Sequence, residues 1–350
     1  MKNNNTTFRL AVILFTSLVL LTSCATTLNV QVTRPAKYNL NGAKTISVLP
    51  FNESKYDPLK YYYDGERETS FSDFYGSYAQ VVHIEEKIIN EIKNGLESGL
   101  KYSPYLTLID SYQVQNALKY SRSCPADVYI VGDIVTFKVT DKELKIKKEL
   151  PPESYDDPDL DFGPNTIKSP DNKYYYKFLY NRTVQLIFNY QIIDSKNGQA
   201  IGYDTKRFEE TSGNYESMED LPDIYRSISY EIDTFIEDLL KGVQPYTVNK
   251  SITLLKDDTK NPLMERADKL AKDGYLKESY NEFSQVYAQT KQMEAGYNAA
   301  MILMAMGDLN KAETLMTEVY SVSGSRKALD GLYDIRSEIK QAERLKNQIK

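Results

Sequence analysis

Apolar and polar positions repeat with two different periods along this chain, and the switches between them mark its parts. Ala43-Lys-Thr-Ile-Ser-Val-Leu-Pro-Phe51 is a run of strand formers ended by Pro50, which predicts a short buried strand. From Val81 to Leu100 the period lengthens. Val81, Ile84, Ile88, Ile89, Ile92 and Leu96 recur every three or four residues with Glu and Lys opposite, an amphipathic helix stopped by Gly99 and Pro104. Tyr105–Ile109 predicts a second strand, Asp110 or Ser111 can cap a helix over 112–120, and residues 126–137 predict a long central strand. Alternation returns from Arg182 to Asp194, with Val184, Leu186, Phe188, Tyr190 and Ile192 on one face. Asn197-Gly198 supplies φ > 0 residues for a tight turn, and 199–210 reads as the returning strand. Leu221 to Leu240 is again helical, turning Ile224, Ile228, Ile232, Phe235, Ile236 and Leu239 inward.

Two segments lack either period. Residues 52–79 are rich in Tyr, Ser, Asp and Gly and read as a loop insertion. Residues 138–180 are charged and, around 151–170, rich in proline, so they read as a second one. Pro245 and the polar stretch 246–261 mark the end of a first domain spanning 43–245.

Beyond it the pattern repeats at an offset of 33. Ala267, Leu270, Gly274, Leu276, Ser279, Phe283, Val286 and Tyr287 recur as Ala300, Leu303, Gly307, Leu309, Ala312, Met316, Val319 and Tyr320. Ala267, Ser279, Ala300 and Ala312 are small enough for helices to touch closely, and Gly274 and Gly307 fall at the turns. The period matches the tetratricopeptide helix–turn–helix. Residues 262–350 are therefore expected to hold two such repeats and a capping helix, Lys327 to Ile349. The fold class is α+β: a mixed sheet with flanking helices, then an all-α hairpin array.

The start of the chain adds an address. Lys2 and Arg9 precede an apolar run from Leu10 to Leu21, too short to span a bilayer. Leu21-Thr22-Ser23-Cys24 resembles the bacterial lipobox. That resemblance implies a signal peptide over 1–23, a mature chain starting at Cys24, and diacylglycerol and fatty acyl chains on its sulfur. Several acyl chains anchor durably where one does not. Residues 24–42 would then be a tether. The same resemblance, with no acid close behind the cysteine, implies the outer membrane, facing the periplasm.

Composition narrows the chemistry. The formal net charge is −6, and loss of Lys2 and Arg9 makes it −8, which argues against nucleic acid and anionic lipid. Cys124 has no partner in the mature chain and reads as a small core residue. His83 is the sole histidine, at the edge of a helix stripe beside Glu85 and Glu86, and reads as a surface residue. One histidine and one free cysteine cannot make a zinc site. Asp156, Asp157, Asp159 and Asp161 form an acidic cluster, but an EF-hand counted from Asp156 would have Asp161 at its glycine position and Ile167 at its glutamate position. No metal, non-covalent cofactor or catalytic set is expected. Of 29 tyrosines, Tyr61, Tyr62, Tyr63, Tyr174, Tyr175 and Tyr176 are the candidate partner contacts, because rigid amphipathic rings dominate interfaces.

Val48-Leu-Pro-Phe51, Ala126-Asp127 with Gly132, and Asp194 with Gly198 together resemble a known periplasmic domain. It is shared by the curli-secretion lipoprotein CsgG and the N-terminal part of TolB, and the likeness covers about 43–242. With the lipobox and the repeats, the chain resembles a tetratricopeptide-repeat lipoprotein family of Bacteroidetes. The resemblance implies an envelope location and no reaction. A pore is not implied, because 138–180 carries charges on both faces and repeated prolines, which a membrane strand excludes. The expected role is a non-enzymatic adaptor for an envelope protein or peptide, with a homo-oligomeric export accessory as the alternative.

Overall fold

A computed structural model describes residues 26–54, 60–65, 71–150, 165–171 and 173–349. The signal segment, Cys24 and the acidic cluster 156–161 lie outside them. The chain is mixed α+β and divides into two compact units. One is the chain up to Pro35 with Pro245–Asn347; the other is Ala36–Gln244 with Gln348–Lys350.

In the second unit, the sheet unit, β2 (Thr45–Val48) is flanked in parallel by β4 (Thr107–Leu108) and β5 (Val128–Glu149). Beside β5 runs β7 (Tyr174–Asp194), antiparallel, with a bulge between Ile134 and Thr136. Returning along β7 is β8 (Ala200–Thr211). At the far end β3 (Tyr61–Asp64) pairs with β5 and β6 (Thr166–Lys168) with β7. Alternation puts Ile46, Val48, Val128, Ile130, Val184, Leu186, Phe188, Tyr190 and Ile192 in one core with helices α1 (Phe71–Lys101) and α3 (Ile224–Val243). Gly99 lets α1 approach α3: a Cβ there would clash with Leu240 Cδ1. Helix α2 (Ser111–Lys119), capped by the Asp110 side chain, packs Val114 against a small separate core of Leu49 and Ala126. Cys124 is half-buried beside that core.

The structure departs from the sequence reading in four places. Tyr61–Asp64 and everything from Phe71 were read within the loop 52–79, yet they form β3 and the first turns of α1. Inside 138–180, β5 continues to Glu149 and β7 resumes at Tyr174. Charge on both faces reads against a regular strand, but a two-strand ribbon satisfies its backbone across the ladder whatever its side chains. Residues 27–34, read as tether, and 246–253, read as linker, are β1 (Thr27–Arg34) and β9 (Tyr246–Thr253), paired antiparallel from Thr27↔Thr253 to Arg34↔Tyr246. Finally, only Gly198 of the β7–β8 turn has positive φ, at 69°; Asn197 does not.

The first unit combines the β1–β9 ribbon with five helices: α4 (Pro262–Lys272), α5 (Leu276–Thr290), α6 (Met293–Ala305), α7 (Leu309–Ser323) and α8 (Arg326–Gln348). The offset of 33 persists in atomic detail. Gly274 and Gly307 have φ of 85° and 83°, a region that only glycine enters at little cost. The Gly274 N–H bonds Ala271 O and that of Tyr275 bonds Leu270 O, as Gly307 bonds Met304 O and Asp308 bonds Leu303 O. Ala267, Ser279, Ala300 and Ala312 are fully buried, and Ser279 Oγ donates to Ala267 O at 2.8 Å.

Candidate functional site

Helix α6 shows what the helical hairpins are used for inside the unit. Every residue from Ala295 to Met304 is buried, which marks a helix covered all round. Its sequence neighbours α5 and α7 cover part of it, and Leu28, Ile252 and Leu254 join the same core from the ribbon side. Asn298 is 1% exposed. Its Oδ1 accepts from Leu255 N at 2.7 Å and its Nδ2 donates to Leu255 O at 2.8 Å. One side-chain amide thus pairs the backbone just past β9 as another strand would. At the ribbon's other end Glu338 of α8 accepts from Arg34 at 2.6 and 2.9 Å and from Lys250. Burial pushes the Glu338 carboxyl up, but these two cations outweigh it and hold it below its ordinary value.

Beside the Asn298 clamp lies a pocket of about 200 Å³. Leu255, Met264 and Phe283 line it together with Lys256, Glu265, Asp268 and Lys272. That volume takes one large side chain. The ribbon's outward face, by contrast, is uniformly polar and uncharged. Thr27, Asn29, Gln31 and Thr33 stand beside Thr253, Ser251, Asn249 and Thr247, and all are exposed.

The sheet unit buries its ions differently. Asp141, with no exposure, accepts from Arg182 Nε at 2.6 Å and Nη2 at 2.7 Å, and from the Tyr61 hydroxyl at 3.0 Å. Lys60 and Glu85 form a second buried pair, and Ser54 N donates to the same Glu85 at 2.6 Å. The helical pattern placed Glu85 on a polar face; the approach of Lys60 before β3 buries it. Tyr61, a predicted partner contact, is a core residue at 2% exposure. Burial and the Asp141 carboxylate push its hydroxyl up to about 12. Tyr62 is 43% exposed, while Tyr63, Tyr174, Tyr175 and Tyr176 are half-buried along the ladder. Period two explains the correction: adjacent strand residues face opposite ways, so three successive rings cannot share one surface.

His83 is on the surface, its Nδ1 3.8 Å from Glu86, at the mouth of an open groove between α1 and α3 lined by Asn90, Glu91, Asn94 and Asp233. Across that groove the Tyr225 hydroxyl donates to Glu91 while Lys87 sits over its ring. Among the described residues no group of three or more His, Cys, Asp or Glu side chains is arranged to hold a metal, and no helix is long and apolar enough to cross a membrane.

No family model and no curated protein matches the chain. Solved structures with distant likeness include the PelC dodecamer from Paraburkholderia phytofirmans, at 13% identity over 62% of this chain and 98% of that one, with a TM-score of 0.25. The hypothetical protein CT253 from Chlamydia trachomatis matches at 9% identity over 57% and 88%, with 0.22. Lipoprotein GNA1162 from Neisseria meningitidis matches at 8% over 55% and 99%, with 0.21. Likeness at these scores carries no function to this chain.

Proposed function

We propose that the chain is a lipid-anchored envelope protein acting as a non-enzymatic adaptor, and that its C-terminal hairpins are tetratricopeptide-type repeats. The address rests on Leu21-Thr22-Ser23-Cys24. Because β1 opens at Thr27, an acylated Cys24 would hold the ribbon-and-helix unit within roughly 10 Å of the bilayer, at about 3.5 Å per extended residue. The observation that carries the adaptor reading is the pocket floored by Leu255, Met264 and Phe283 beside the Asn298 clamp. An apolar floor with a mixed-charge rim receives one anchor side chain of a protein or peptide, the arrangement that concentrates binding energy. The test is photo-crosslinking in cells from position 264, with exposed Val322 as control. A discrete adduct from 264 alone is expected; no adduct in any growth state overturns the reading.

A second reading, self-assembly as an export accessory, is favoured by the ribbon's edges. Each of β1 and β9 pairs only with the other among the described residues, and Thr27–Thr33 contains neither charge nor proline, the usual guards of an open edge. Light scattering of the detergent-solubilised chain that finds a monomer at high concentration removes it.

A further inference from the structure

The whole-chain charge argues against an anionic partner, yet the topology of the sheet unit gathers cations at one edge. Strands β2, β4 and β5 are parallel and in register, Thr45 with Thr107 and Ile46 with Val128. The segments entering them therefore reach the same end of the sheet. These bring Lys44 before β2, Lys101 and Tyr102 before β4, and Lys119, Tyr120 and Arg122 before β5. The β7–β8 turn arrives there too, since Asp194 pairs with Val128, and carries Lys196. Contacts join three of these segments, those of Lys44, Asp127 and the β7–β8 turn. Asp127 accepts from Lys44 N at 3.0 Å, its O accepts from Ser195 N at 2.9 Å, and Lys196 Nζ is 3.8 Å from its carboxylate.

Two carboxylates at this edge are already engaged. Asp127 is bound by the N–H groups of Lys44 and Thr45, and Asp194 accepts from Lys196 N. Lys101, Lys119 and Arg122 are exposed, and none of them is in an ion pair with another of the described residues. Instead they lie against rings: Lys101 is 5.6 Å from the Tyr102 centroid, and Lys119 and Arg122 are both 5.5 Å from that of Tyr120. Tyr102 is 83% exposed and Tyr120 58%. A single exposed tyrosine is ordinary. Exposed rings beside exposed cations have the composition of a membrane–water interface, where the ring sits at headgroup depth and the cations meet phosphates.

We infer that this edge, carrying Lys101, Tyr102, Lys119, Tyr120 and Arg122, docks on the anionic lipid headgroups of a bilayer. The inference rests on the anchored reading only in that the anchor keeps the bilayer near. The test uses the full chain with Tyr120→Cys and Cys124→Ser, labelled at position 120 with an environment-sensitive fluorophore. It is incorporated into phosphatidylcholine vesicles with or without phosphatidylglycerol. Protection of the label from iodide in anionic vesicles only is expected, while a label at Tyr230→Cys on α3, 75% exposed in the parent, stays quenched in both. Neutralising Lys119 or Arg122 weakens docking about fivefold each, from about 1 kcal/mol per cation. Equal quenching at position 120 in both vesicle types, with the chain still floating, overturns the inference. So does protection by soluble polyphosphate without protection by vesicles. A chain that fails to float on neutral vesicles overturns the anchor alone, and protection in anionic vesicles then still decides the edge.

Discussion

The β1–β9 ribbon and the distal end of β5 and β7 are both extended two-strand structures, kept in place by opposite means. The first is uncharged along its outer face and is held from its inner face, by Leu28 and Ile252 in the helical core and by the cation pair on Glu338. Each such buried aliphatic contributes about 1.5–3 kcal/mol. The second carries its charge mainly on β5, from Asp141 to Glu149, and is held from within. Lys145 lies over Tyr176 and Lys147 over Tyr174, the two rings meet edge to face, and the Asp141–Arg182 pair locks its base. Charge pattern therefore does not report whether a strand exists.

The largest expected effect strikes the charged ribbon's base. Asp141→Ala leaves the Arg182 guanidinium buried without its partner and should cost about 3–5 kcal/mol, read as a lowered urea midpoint. The double variant Asp141→Leu, Arg182→Met should recover most of it; if it does not, the pair does more than neutralise itself. On the uncharged ribbon, Glu338→Gln should cost about 1.5–3 kcal/mol, since hydrogen bonds to charged groups are lost. Its cost should also depend on pH. The native carboxyl is held below its ordinary value, so its contribution is present at neutral pH and disappears as pH falls through the lowered native value. Glu338→Gln should flatten that acid limb, and an unchanged limb would contradict the cation clamp. Asn298→Ala strands the Leu255 N–H and C=O and should cost about 1–3 kcal/mol, with faster hydrogen exchange at residue 255. The smallest effect is Tyr62→Ala, which should stay within about 0.5 kcal/mol, whereas Tyr61→Ala empties a core site and should cost about 3–5 kcal/mol. Equal costs at 61 and 62 would erase the alternation assigned to β3.

Much of this architecture was legible from periodicity. The core faces of α1, α3 and β7 and the 33-residue helical repeat are local patterns, set by which positions must be apolar. The elements that escaped are those whose reason is a distant residue. β1 is a strand because β9 pairs with it more than two hundred residues away. β3 is a strand because Asp141 and Glu85 receive Tyr61 and Lys60. The cationic edge was invisible for the same reason: Lys44, Lys101, Lys119, Arg122 and Lys196 form no tract in the sequence, and only the strand register, parallel for β2, β4 and β5 and antiparallel for β7, brings them to one end of the sheet. Tyr61–Tyr63 read as one surface because composition cannot tell which member of a triplet faces inward.

The adaptor reading depends on the sulfur of Cys24, from which β1 and the helices behind it would be suspended. Intact-mass spectrometry of the chain purified from membranes, compared with Cys24→Ser, addresses this most directly. The expected result is a chain beginning at Cys24 and heavier by diacylglycerol and a fatty acyl group, with the serine variant lacking that mass. An unmodified mass, or two variants of identical modification and membrane partition, would contradict it.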